Sequence, residues 1–426
     1  MPLLFPLEIR ITLKHFFSRL TLAQQLLVSG VVVGVASGLA AYGFERLILW
    51  FGMFTPSLSR GVSSGWVLLA IVGLPTLGGL ISGIITHHYC PDAKGHGVME
   101  VVAALRDRDG HIENRVLWAK AVASAATIGF GGSAGREGPI VQIGAAAGSW
   151  VGRLFQVSPR QLKMLVAAGA AGGLSASFSV PLAGVVFTME VILKDFANEA
   201  FSAVVISSVT SIVTAHLLLG HTTYFTPFNY TWGRPPEFLF YAVLGILCGP
   251  VGIFYQRLLS FFKNHFQRHR PAFLMPAVGG FLVGALALVL PAVRGVGKDE
   301  INAALLGQVP GGQALAGGVG KMFATAFTLG SGGSGGALMP ALFIGAMLGS
   351  AFGNVLIPLK GVAPGVGPLA LVGMAAVFSS AFRSPITAVI MTFEITRDGG
   401  IIAPVMLACV LSHIFSRSSK SKTQAS

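Results

Sequence analysis

A single carboxylate, Glu137, stands in an otherwise apolar stretch inside the motif Gly135-Arg136-Glu137-Gly138-Pro139. A second Gly-rich motif, Gly336-Ala337-Leu338-Met339-Pro340, lies 201 residues downstream. Each opens a hydrophobic segment and has the grammar of a helix start: glycines allow a tight turn, and proline suits the first helical position. The first N–H groups of a helix have no internal partner and carry partial positive charge. Two such starts facing each other inside a membrane make a site for a small anion without a full cation. A lysine or arginine in direct contact would hold a halide too tightly, because flux needs binding that is also easily reversed.

Two roles are open to Glu137 on spacing alone. Its carboxylate can occupy the anion site itself, so that protonation vacates the site and admits an external anion. Alternatively, Arg136 or Lys120 fixes it and the pair holds the fold together, since intramembrane charges are functional or paired. An intramembrane enzyme is a reading from another class. It lacks support: there is no His-Glu-x-x-His or Gly-x-Ser-x-Gly, and Ser133 and Ser334 lie in Gly-rich turns with no adjacent histidine. His87, His88 and Cys90 with nearby His96 fit no recurrent metal site, and the three cysteines form no CxxC. No metal, cofactor or disulfide is expected.

The elements that carry these motifs are duplicated. At the offset of 201, identities extend from Lys120/Lys321 through Thr127/Thr328, Gly129/Gly330 and Ser133/Ser334 to Ser149/Ser350. The repeat continues: Phe178, Pro181, Thr188 and Glu190 parallel Phe382, Pro385, Thr392 and Glu394. One unit spans about 30–220 and the other about 238–416, with 221–236 as the linker, all within one transmembrane domain over residues 1–426. A Gly/Pro-interrupted apolar segment in each half points to a transport site, and inverted topology would set both broken tips at the midplane.

Composition agrees. Of the 426 residues 53% are hydrophobic and 11% charged, against ~25% charged in soluble proteins. Apolar stretches at 26–44, 66–86, 116–130, 164–192, 200–219, 238–254, 272–293, 369–395 and 401–415 include several of spanning length. The fold class is an all-α polytopic membrane protein with tilted and broken helices. The formal charge of +13 at pH 7 sits in short connections and at both ends, placing both termini in the cytoplasm by the positive-inside rule. No basic-aromatic module supports nucleic-acid binding. Residues 1–20 read as an amphipathic interfacial helix and not as a signal peptide.

On these motifs the chain resembles the CLC family of chloride channels and proton-coupled chloride transporters over nearly its full length. Gly135-Arg136-Glu137-Gly138-Pro139 matches the family's gating-glutamate motif unchanged. Gly336-Ala337-Leu338-Met339-Pro340 falls at its Gly-x-Phe-x-Pro motif, with Leu338 for phenylalanine. Gly95-His96-Gly97-Val98-Met99-Glu100 falls at Gly-Ser-Gly-Ile-Pro-Glu. The resemblance implies a homodimer in a bilayer, here a bacterial inner membrane, with one anion pathway per subunit. It implies Glu137 as external gate, amides near Ala337 and Leu338 as central-site donors, and His96 beside the anion, starting a third Gly-flanked helix. His96 facing only the vestibule is the alternative.

Three departures bear on mechanism. Where proton-coupled members carry a second consecutive glutamate, Val191 follows Glu190, and valine carries no proton. No tyrosine follows Tyr255, so the late tyrosine that donates to the anion is missing and the final helix is expected short. His96 replaces the serine associated with chloride preference. The paired cytoplasmic regulatory modules of many members are not expected. Selective chloride transport gated by Glu137, channel-like or weakly proton-coupled, is the favoured expectation, with chloride/proton antiport the alternative and fluoride export disfavoured.

Overall fold

The computed structural model describes residues 20–55, 65–196, 199–220, 225, 235–359 and 361–421. Residues 1–19 of the amphipathic helix expected over 1–20, nearly all of the linker over 221–236, and Lys422 therefore lie outside the described residues.

The described chain is helical, without a sheet. Its α-helices are α1 (Leu22–Gly52), α2 (Gly65–Ile84), α3 (Val98–Asp107), α4 (Asn114–Gly129), α5 (Glu137–Leu154), α6 (Pro159–Phe178), α7 (Pro181–Phe187) and α8 (Phe201–Leu219). They continue as α9 (Glu237–Gln267), α10 (Met275–Val289), α11 (Lys298–Leu305), α12 (Gly311–Gly330), α13 (Leu338–Val355), α14 (Val366–Phe382), α15 (Pro385–Thr396) and α16 (Ile402–Ser421). Among the described residues six segments, built on α1, α2, α8, α9, α10 and α13, are long and apolar enough to cross a membrane. Large apolar side chains such as Trp66, Leu217 and Val289 are exposed on them, as lipid-facing positions require.

Two apolar stretches that read as single segments are each broken in the same place. Residues 164–192 divide at Ser179, in left-handed conformation with φ 58°, and 369–395 divide at Arg383, φ 56°. In both, the residue before Pro181 or Pro385 is pushed out of helical geometry, and the proline then opens the next helix. After α7 the chain widens into a π turn, Thr188–Leu193, which carries Glu190 and Val191. Its counterpart α15 stays α-helical throughout.

The chain packs as two compact units that cut across the sequence repeats. The first takes Met1–Phe44, Gly97–Ala121 and Ile140–Thr222; the second takes Glu45–His96, Val122–Pro139 and Thr223–Ser426. In the first, Gly144 of α5 meets the Gly169 carbonyl of α6 so closely that a Cβ at either position would overlap the other's backbone. Ser37 and Ser211 donate to the Gly169 and Gly172 carbonyls, and Ser175 pairs with Ser208. In the second unit, α13 and α14 repeat the close approach with Gly345 and Gly373. Ser379, Ser380 and Ser412 donate there to carbonyls of Cys409, Cys248 and Ala376. Small residues and hydroxyls replace bulky apolar packing because lipid supplies no hydrophobic drive between helices.

Candidate functional site

Both Gly motifs belong to the second unit, and the structure joins them. α4 and α12 end alike: Gly131 and Gly332 adopt φ 94° and 100°, which only glycine takes without strain. Gly132 and Gly333 N–H then turn back to the Thr127 and Thr328 carbonyls, at 2.8 and 3.1 Å. Beyond these turns Gly135 and Gly336 exchange two backbone hydrogen bonds of 2.7 Å each, as an isolated antiparallel bridge. Ser133 Oγ pairs with Thr325 Oγ1 at 3.0 Å, and Ser334 Oγ with Ser124 Oγ at 2.8 Å. These contacts are reciprocal, because Ser124 and Thr325 stand at the same offset of 201 as Ser133 and Ser334. Each repeat thus holds the other's turn with the same hydroxyl pair, which is the signature of a pseudo-twofold relation between them.

The third Gly-flanked turn docks onto this junction. Gly335 N–H donates to the Gly95 carbonyl at 3.3 Å, and Ser334 Oγ donates to the Ala93 carbonyl at 2.8 Å. With its proton so placed, Ser334 accepts from Ser124. Gly97, with φ 91°, caps α3, and His96 stands one residue before that cap. The His96 carbonyl lies so close to Gly138 that a Cβ there would overlap it.

At the centre is Glu137, wholly buried, and first residue of α5. The N–H groups of Arg136, Glu137 and Met339 face its carboxylate, yet none closes a hydrogen bond of normal length and angle on either oxygen. The side chain folds back against Gly135, where a Cβ would strike Oε2. A carboxyl group therefore lies where the starts of α5 and α13 meet. Pro139 and Pro340 are third, not first, in their helices. This remains within the turn whose amides lack partners.

Arg136 makes no side-chain hydrogen bond to Glu137. Its Nη1 donates to Glu45 Oε1 at 2.8 Å, so toward Glu137 it turns its backbone N–H and acts through its charge. With no hydrogen bond on either Glu137 oxygen, Lys120 does not fix it by one either. Lys321, the counterpart of Lys120, donates to the Val293, Arg294 and Gly295 carbonyls at 3.1, 3.4 and 2.7 Å and lies over the Phe343 ring. In that repeat the lysine ties a loop down. Val191 is half-buried in the π turn and belongs to the first unit.

Tyr255 escaped the sequence reading as a site residue. It is fully buried in α9, and its hydroxyl donates to the Ala337 carbonyl at 3.1 Å. That carbonyl also takes the first turn's bond from Ala341 N–H, at 3.3 Å. The signal available was a tyrosine in an apolar helix, since a buried hydroxyl usually finds a partner. Tyr255→Phe is expected to lower unfolding stability by about 1 kcal/mol and to slow anion flux while leaving the fold. Unchanged thermal stability in detergent would remove the bond from the account.

The family model for voltage gated chloride channels matches residues 78–417. The chain belongs to the voltage gated chloride channel family. It is 30% identical over 403 residues to a putative chloride channel protein ClcB-like of Ralstonia nicotianae, covering 91% of this chain and 92% of that protein. It is 30% identical over 412 residues to the H(+)/Cl(-) exchange transporter ClcA of Vibrio parahaemolyticus, covering 93% and 88%. Among solved structures, a slow cyanobacterial Cl-/H+ antiporter superposes with a TM-score of 0.82 at 23% identity, over 92% of this chain and 94% of that one. The fold is thus the CLC fold that the sequence motifs implied, of two inverted-topology repeats in an integral membrane protein.

Proposed function

We propose that the chain exchanges chloride for protons across a bacterial inner membrane, as a homodimer with one anion pathway per subunit and both termini cytoplasmic. The observation that carries this is the Glu137 carboxylate, buried among amides of two helix starts without a closed hydrogen bond. A buried anion so placed competes with chloride for the same partial charges. Protonation removes the competitor, so chloride entry and proton uptake are linked at one position. The relatives named as exchange transporters reverse the order of the two expectations and favour exchange over channel-like conduction. The proton's further route does not use Val191; Glu190, next to it in the π turn, is the nearest acid in sequence.

Channel-like conduction stays as the second reading because Val191 offers no proton site. Purified protein in liposomes, with chloride and proton movement recorded together under a chloride gradient, separates the two. Exchange predicts uphill proton movement locked to chloride flux and no potassium permeability. Chloride flux with no proton movement selects the channel, and no chloride flux defeats both.

His96→Ser is expected to change the relative fluxes of chloride, bromide and nitrate, since a side-chain donor at that turn can reach a partly dehydrated anion. Identical selectivity in wild type and variant would assign the role there to the backbone alone.

A further inference from the structure

Lys94 immediately precedes the Gly95-His96-Gly97 turn, and both of its neighbours are pinned to the second motif. Ser334 Oγ donates to the Ala93 carbonyl at 2.8 Å, and Gly335 N–H donates to the Gly95 carbonyl at 3.3 Å. Its half-buried side chain runs along Gly332: a Cβ there would stand 2.8 Å from Lys94 Cε and 3.4 Å from Nζ. Two residues earlier in the same turn, Gly330 packs on α9, where its Cβ would stand 3.1 Å from the Lys263 backbone nitrogen. Lys263 is exposed. Burial first, and then the positive Lys263, hold Lys94 below the ordinary lysine range.

Two like charges beside one turn repel, and folds usually offset this with a carboxylate. Some cations of this chain have such a partner: Arg136 has Glu45, Arg160 has Glu199 and Lys163 has Asp109. Among the described residues neither Lys94 nor Lys263 has an ion pair or a side-chain hydrogen bond. Nor are they capped by carbonyls as Lys321 is. An uncompensated pair at the edge of the junction is an attractive field for an anion.

We propose that Lys94, backed by Lys263, is a capture subsite for a small inorganic anion such as chloride, which it draws to the Gly95–Gly97 turn ahead of the helix-start amides. This deepens the exchange reading and rests on it. The ammonium stays strongly hydrated and outside the amide site, so it concentrates the anion without trapping it.

The test is chloride flux in liposomes against chloride supplied at each face in turn, at low ionic strength. Lys94→Gln is expected to raise the half-saturating chloride roughly fivefold from one face only, the effect of one unit charge about 4 Å away in water. The maximal rate should hold. The shift should shrink at about 1 M of a salt with an impermeant anion, where the screening length is about 3 Å. Lys263→Gln should act in the same direction and less, Lys94→Arg should behave as wild type, and thermal stability should not fall in Lys94→Gln. Wild-type half-saturation in Lys94→Gln, an equal shift from both faces, a shift that survives high salt, or a lower maximal rate alone would overturn the capture role. Those results leave wild-type exchange intact, whereas a wild type that passes no chloride removes the exchange reading and the subsite together.

Discussion

Glu137→Gln is expected to pass chloride at a rate that no longer varies with pH and to move no protons uphill. In the wild type the carboxylate is buried against N–H groups of two helix starts. On the proposed reading its anionic form excludes chloride from them and its neutral form does not. Wild-type flux should therefore rise as pH falls through the titration of this group. A neutral amide resembles the protonated state at every pH, which flattens the profile and removes the proton from the cycle. Glu45, Arg136 and the Gly135–Gly336 bridge lie outside the substituted group, so the variant should fold. Retention of wild-type pH dependence by Glu137→Gln would make Glu137 structural and put the proton sensor elsewhere.

Gly138→Ala is expected to abolish useful transport while a nearby-looking substitution, Gly312→Ala, does nothing. The alanine Cβ at position 138 would overlap the His96 carbonyl, which is backbone and cannot rotate away, whereas a Cβ at Gly312 meets open space. Overpacking of this kind costs ~1–3 kcal/mol and displaces the start of α5 from the Gly95–His96 backbone. An ångström-scale misplacement at a reacting centre brings roughly a hundredfold loss, and flux should fall on that scale with the protein still folded in detergent. Wild-type chloride flux in Gly138→Ala would show that the junction is looser than its contacts.

The two Gly motifs and their duplication were legible in the sequence because a broken helix inside a membrane needs glycine and proline at fixed places. The joining of the motifs was half legible. The offset of 201 aligns Ser133 with Ser334 and Ser124 with Thr325, but that the hydroxyls pair crosswise follows only from the twofold packing. The breaks at Ser179 and Arg383 fall inside stretches that read as single apolar segments, with Pro181, Pro385 and the charge of Arg383 as their markers. Arg136 or Lys120 as a fixed partner of Glu137 is one of the two roles that spacing leaves open, yet the guanidinium of Arg136 hydrogen-bonds Glu45, 91 residues away. Sequence adjacency says little about where a long side chain points once α1 supplies an acid. Tyr255 looked like one more apolar-helix aromatic, and its bond to Ala337 depends on how α9 meets the start of α13.

The occupancy of the junction tests the central claim most directly. Crystals of wild type and of Glu137→Gln grown in bromide, measured for anomalous scattering, locate the anion without reference to flux. The account predicts a bromide peak in the variant among the N–H groups of residues 136–138 and Met339, where the wild-type carboxylate lies, and no peak at that point in the wild type at alkaline pH. Bromide bound elsewhere in both proteins, with the space among those amides empty in the variant, would contradict it.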